Sequence, residues 1–161
     1  MTESSTGPLA DARLKGPWSP DQVVDYLQRE QAPLRLALTG RDGFPLVVSL
    51  WYRWAEDAIW CATHRDSRVV RRLEADPRIG FEVSVNDPPY YGVRGQARVE
   101  LLPARGESEL RALLERYLGG TDSDLARWLL SRADGEVALR IRPHWLASWD
   151  FRRRMKDAVR R

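Results

Sequence analysis

A single cysteine, Cys61, leaves the chain without an internal disulfide. It sits inside the apolar run Ala58 to Thr63, where a small buried hydrophobe is the simplest reading, and a reducing, cytoplasmic setting fits. Histidine is nearly as scarce. His64 and His144 with one thiol cannot assemble a structural zinc site. Glycine-rich nucleotide loops of either usual type are missing, and no Ser-His-Asp arrangement is visible along the chain. No apolar run approaches the length of a membrane span, the polar N-terminus has no signal-peptide core, and there is no internal repeat. Charge of one sign is lacking too: 26 Lys and Arg face 23 Asp and Glu, well mixed, for a net charge of +3. Such a balance does not point to nucleic acid.

Tryptophan, by contrast, is plentiful, with seven in 161 residues. Aromatic surface on that scale suits a ligand pocket, a subunit interface or plain core packing. The length is that of one domain with a genuine core. Residues 1–16 read as a flexible N-terminal segment, 17–151 as one domain, and 152–161 as a basic C-terminal tail, solvated or in contact with phosphate or a partner.

Ser19-Pro20-Asp21-Gln22 carries a helix start, with Ser19 as N-cap, Pro20 in the first turn and Gln22 at the capping-box position. Leu34 to Thr39 alternates as a half-buried strand and is followed by the Asp-Gly hairpin signal of Gly40 to Gly43. Pro45 to Arg53 is the next strand, with Val47, Ser49, Trp51 and Arg53 on one face and Val48, Leu50, Tyr52 and Trp54 on the other. If the second face is core, Ser49 and Arg53 look into a groove; if the first is, they do not. Ala58 to Thr63 is apolar on both faces and reads as an interior strand. Ile79 to Val85 and Tyr91 to Leu102 alternate again, and Gly95 marks a bulge, a corner or a close approach. Two helices follow, around Leu110 to Leu118 and Leu125 to Leu129. The last strand, Glu136 to Trp149, contains Pro143, which implies an edge or a bulge. Together these predict a mainly β fold with helical additions, a six-stranded antiparallel barrel.

Between the strand ending at Thr63 and the helix closed by Asp76-Pro77 lies His64-Arg65-Asp66-Ser67-Arg68. A polar loop entering a helix, rich in arginine, suits a phosphate: the first helical amides lack internal partners and the dipole is positive there. The plain alternative is that Asp66 or Ser67 merely caps the helix and the arginines are solvated.

The order of these elements resembles the pyridoxamine 5′-phosphate oxidase-like, FMN-binding split-barrel family, which includes FMN and deazaflavin (F420) enzymes. The resemblance runs from about Pro33 to Phe151. It is carried by Asp42-Gly43-Phe44-Pro45, by Ala62-Thr63 with Asp66-Ser67-Arg68, and by Arg71-Arg72-Leu73-Glu74-Ala75-Asp76-Pro77-Arg78-Ile79. Tyr91-Gly92-Val93-Arg94-Gly95-Gln96-Ala97 and Arg142-Pro143 with Trp149-Asp150-Phe151 complete it.

The resemblance implies a homodimeric flavin- or deazaflavin-dependent oxidoreductase with FMN, or alternatively F420, in clefts between subunits. It would pass hydride to or from a small organic substrate. Val47, Val48, Ser49 and Leu50 would run along the isoalloxazine ring, Thr63, Ser67 and Arg68 would hold the phosphate, Arg71 would follow one turn later, and Trp149 would approach the ring from the closing strand. No side-chain acid or base is implied. Two departures from the family pattern stand out. Val69 occupies a position where many members have Lys, and no Arg-x-His substrate motif follows Trp149, which argues against pyridoxamine phosphate as substrate. Val69 also leaves room for a non-catalytic protein that holds a flavin, haem or other planar ligand on the same barrel.

Overall fold

The computed structural model describes residues 9–157. Among the described residues there are eight strands: β1 (Arg13–Lys15), β2 (Leu34–Thr39), β3 (Pro45–Leu50), β4 (Arg53–Ala55), β5 (Ala58–His64), β6 (Arg78–Ser84), β7 (Tyr91–Leu102) and β8 (Glu136–Asp150). Four α-helices join them: α1 (Pro20–Arg29), α2 (Arg68–Ala75), α3 (Gly106–Leu118) and α4 (Asp124–Leu130). All six expected strands are present. The additions are β1, which pairs in parallel with β8, and β4, which arises because the long expected strand divides at Trp51-Tyr52. Within the stretch read as a flexible N-terminal segment, Arg13–Lys15 is therefore strand; residues 1–8 and 158–161 lie outside the described residues.

The strand order β3-β2-β6-β7-β8-β5-β4 places β3 and β4 at opposite ends of one sheet. Yet only Trp51 and Tyr52 separate them in the chain. Three peptide steps reach about 11 Å at most, so the sheet must be rolled until its ends almost meet. That gap is the split in the barrel. Tyr52, in the link across it, is fully buried in the barrel core, and its hydroxyl donates to the Glu30 carbonyl at 2.9 Å.

Alternation fills the interior. Leu34, Leu36 and Leu38 of β2, Ile79, Phe81 and Val83 of β6, and Val93, Ala97 and Val99 of β7 point into one core with Ile59, Cys61, Leu139 and Ile141. Helices α1 and α2 plug it with Val23, Leu27, Val69 and Leu73. The capping box of α1 forms as the sequence predicts, Ser19 and Gln22 exchanging side-chain-to-backbone bonds. Gly95 is a close approach: a Cβ there would lie 2.7 Å from the Phe81 ring and 2.5 Å from the Trp145 carbonyl.

Pro143 sits where its missing N–H does no harm. One edge of β8 pairs with β7 along most of its length, while the other pairs with β5 up to Ile141 and with β1 from Trp145. Pro143 falls between those two partners, beside the register shift that skips His144.

The two-face question for β3 is settled by packing. Leu46, Val48 and Leu50 lie against the core, while Val47 and Ser49 face outward. Arg53 does not look into a groove. It is held by Glu109 of α3.

Candidate functional site

The loop after β5 is built by backbone closure. The Arg65 amide donates to the Gly135 carbonyl at 2.7 Å, the Arg65 guanidinium to the Asp134 carbonyl at 2.6 Å, and the Ser67 amide to the His64 carbonyl at 2.9 Å. Ser67 is the N-cap of α2, its Oγ accepting from the Val70 amide at 3.1 Å. The capping reading thus holds for Ser67 and not for Asp66. Capping leaves the amides of Arg68 and Val69 without an acceptor inside the helix.

The helix then sorts its side chains by periodicity. Val69, Val70 and Leu73 are buried, which turns Arg68 and Arg71 to the surface with Arg72 half-buried beside them. These three arginines face the hairpin between β2 and β3. Together with Arg41, Phe44, Pro45 and Leu46 they line a cavity of about 990 Å³. The one carboxylate on its wall, Asp42, accepts from the Phe44 amide. Among the described residues, none of Arg41, Arg68, Arg71 and Arg72 is paired with a carboxylate. The Nε of Arg72 is buried with no acceptor. Four guanidinium groups around one cavity, against a single carboxylate, are a donor set for an anion.

A second pocket of about 380 Å³ opens at the other end of β3. Ser49, Leu50 and Trp51 form one wall, Ala62, Thr63 and His64 of β5 another, and α3, α4 and Glu136 the rest. Between the two cavities the outer face of β3 carries Val47, which is 62% exposed. β3 is an edge strand, paired only with β2, so backbone groups along its free side remain available.

The structure brings the predicted residues together in two groups. Arg68 and Arg71 share the arginine cavity; Ser49, Leu50 and Thr63 share the smaller pocket. Val47 bridges them on the surface, Val48 packs inward, and Ser67 acts as the cap. Trp149 joins neither. It pairs with Gly92 near the far end of β8, under the Arg94 guanidinium at 5.6 Å, whereas the Ser67 loop abuts the start of that strand at Glu136. Thirteen residues of strand, roughly 40 Å of contour, separate them within one chain. Residues not singled out in sequence are Arg41, which only the hairpin fold carries to α2, and Glu136, Trp128 and Arg132, which only the packing of α3 and α4 brings to the small pocket.

Burial pushes the Glu136 carboxyl above its usual value, against the opposing pull of His64 and Arg132. It also pushes the Cys61 thiol up, which keeps it inert.

Residues 19–150 match the family model described as pyridoxamine 5′-phosphate oxidase, and the chain belongs to that family. Its split-barrel fold recurs among solved structures. A conserved hypothetical protein from Mycobacterium tuberculosis superposes with a TM-score of 0.73 at 25% identity, covering 88% of this chain and 90% of the other. An F420 reductase does so with a TM-score of 0.64 at 21% identity, covering 76% and 94%. The haem storage protein HutZ from Vibrio cholerae gives 0.58 at 16% identity, covering 74% and 87%. A search of the curated proteins finds no match. Among the described residues no helix is long and apolar enough to cross a membrane.

Proposed function

We propose that this protein is a flavin- or deazaflavin-dependent oxidoreductase that works as a homodimer on a small organic substrate. The carrying observation is the set of four guanidinium groups, Arg41, Arg68, Arg71 and Arg72, around one cavity at the start of α2, none of them ion-paired and with Asp42 the one carboxylate on the wall. The fit to an anionic cofactor tail is supported by the orphaned Nε of Arg72 and the free first-turn amides. A flat ring lying on the outer face of β3, over Val47 and toward Ser49, would keep its anionic end in that cavity. When bound, such a cofactor supplies the hydride chemistry. The chain's own part is to grip the tail, present backbone groups of β3 to the ring edge and shield it with apolar side chains.

A phosphate monoester, as in FMN, brings roughly two negative charges. Four unpaired arginines exceed that demand, which favours the longer anionic tail of F420. The same geometry supports the homodimer reading. Trp149 serves the ring only if it comes from a second copy, because its own chain holds it at the far end of β8.

The experiment is titration of the purified protein with FMN and with F420, followed by fluorescence quenching and calorimetry, alongside light scattering for a mass twice the 18.5 kDa of the chain. Saturable binding of at least one of them, tighter for F420, is the expected result. A dimer or monomer that binds neither would overturn the reading.

Val69 favours a second reading. Its side chain is buried in the core, so α2 offers no cation at that position, and a holder of flavin, haem or another planar ligand without turnover is the alternative. Binding without reduction by NAD(P)H or reduced F420 would select it.

A further inference from the structure

We propose that the pocket beneath α3 and α4 is the substrate site, and that it takes a small planar carbonyl compound whose oxygen is held by the side chain of Glu136. The role as substrate site rests on the oxidoreductase reading; the binding does not.

Glu136 is 8% exposed, yet among the described residues no donor reaches its carboxyl. Its oxygens are not among the sealed, unpartnered side-chain atoms of the described residues, so they meet the open pocket rather than packed core. Its direction follows from the sheet. Glu136 is the direct cross-strand partner of His64, so the two share a face, as do Ala62 and Ala138 beyond them. That face lies under α3 and α4, not inside the barrel, because the alternate residues Cys61, Leu139 and Ile141 fill the interior. The remaining lining is apolar: Leu50, Leu110, Leu113 and Leu129 with the rings of Trp51 and Trp128. Trp128 is 55% exposed at the mouth, with the Arg132 guanidinium 5.2 Å over its ring. Trp51 is fixed by stacking on Tyr117 at 5.0 Å. A volume of about 380 Å³ between flat walls admits a molecule of one or two fused rings.

The groups facing Glu136 that pull against its burial are His64 from β5 and Arg132 from the turn after α4. Glu109 of α3 is committed to Arg53, and Arg65 to the Asp134 carbonyl. With desolvation outweighing the pull of His64 and Arg132, the carboxyl holds its proton to higher pH than an exposed glutamate. In that form it is a donor, and a carbonyl oxygen is the partner that suits it.

The test uses 1-indanone against indane, the same rings without the carbonyl, followed by tryptophan quenching and calorimetry on the protein with no added cofactor. Indanone should bind at least tenfold more tightly than indane at low pH, and that preference should fade as pH rises and Glu136 ionises. E136Q, which keeps an N–H donor, should retain the preference and lose its pH dependence; E136L should abolish the preference while still binding indane. H64N, which removes one opposing pull, should keep the fading preference and move it no lower in pH. Equal binding of the two ligands by the unaltered protein, or a pH dependence that survives in E136Q, would overturn the proposal. Titration of E136Q with FMN and F420 separates the two claims, since cofactor binding there should be unchanged whatever the ketone does.

Discussion

Arg53 of β4 lays its guanidinium in two-point contact on Glu109 of α3, Nε to Oε1 at 2.5 Å and Nη2 to Oε2 at 2.7 Å. The carboxylate is 1% exposed and the arginine 25%. This pair pins α3 to the last strand of the open sheet, beside the split. Removing one partner strands a buried charge. Glu109→Ala or Arg53→Ala should cost about 3 kcal/mol, the low end of the range for buried pairs because the arginine keeps some water. Replacing both, by Arg53→Met with Glu109→Leu, should cost far less than the sum. Urea unfolding of the two single variants and the double variant measures this. Additive losses would show that the two side chains act independently.

The arginine cavity makes a prediction of opposite kind. Arg68 and Arg71 are exposed and unpaired, so replacing either by Ala should change folding stability by less than about 0.5 kcal/mol. Each contributes charge-assisted bonds to an anionic cofactor tail, worth about 1.5–3 kcal/mol, so affinity for FMN or F420 should fall about tenfold or more per residue. The loss should shrink as salt is raised, since exposed charges are screened. Calorimetric titration at two salt concentrations is the check. Unchanged affinity in both variants would move the tail elsewhere.

These two sites differ in how much of them a reader of the sequence can see. The strands declare themselves by alternation, as Ile79, Phe81 and Val83 do, and the α2 start by Ser67. The arginines of α2 are visible as a run, but their sorting into Arg68 and Arg71 outside and Arg72 half-inside needs the buried stripe of Val69, Val70 and Leu73. Arg41 could not be assigned, because a hairpin tip reaches α2 only once the sheet has rolled. Arg53 was ambiguous for a related reason. Period-two alternation says which residues share a face, not which face is covered, and here the covering element is a helix more than fifty residues later. Glu136 looked like the plain beginning of a strand; its burial comes from α3 and α4 folding over it.

Asp150 ties the C-terminal end of β8 to the N-terminal arm. Arg152 forks onto its carboxylate and the Trp18 indole donates to it at 3.2 Å. The Arg152 hydrogen bonds, then the Trp18 bond, lower its pKa from 3.8 to about 2. A depressed carboxylate stabilises the fold fully above its unfolded pKa and loses that contribution as pH falls toward the folded one. Asp150→Asn should therefore be less stable than the unaltered protein at pH 7, with the gap closing between pH 3.8 and about 2. Thermal unfolding across that range tests it. A gap that stays constant with pH would mean that the amide merely repacks badly.

Gly95 sets how tightly β7 and β6 approach the closing strand. The site has no room for a methyl group: a Cβ would press on the Phe81 ring at 2.7 Å and on the Trp145 carbonyl at 2.5 Å. Phe81 belongs to the barrel core and is 4% exposed, so its ring has nowhere to retreat, and Trp145 offers backbone, which yields less readily than a side chain. Gly95→Ala should destabilise by about 1–3 kcal/mol through overpacking. Phe81→Leu removes the ring edge while keeping the interior apolar. Combining it with Gly95→Ala should therefore recover part of the loss, leaving the carbonyl contact as the remainder. Chemical denaturation of the singles and the double separates the two contacts. If Phe81→Leu recovers nothing, the penalty lies wholly in the β7–β8 backbone, and the spacing of those two strands, not the packing of the core, is what the glycine protects.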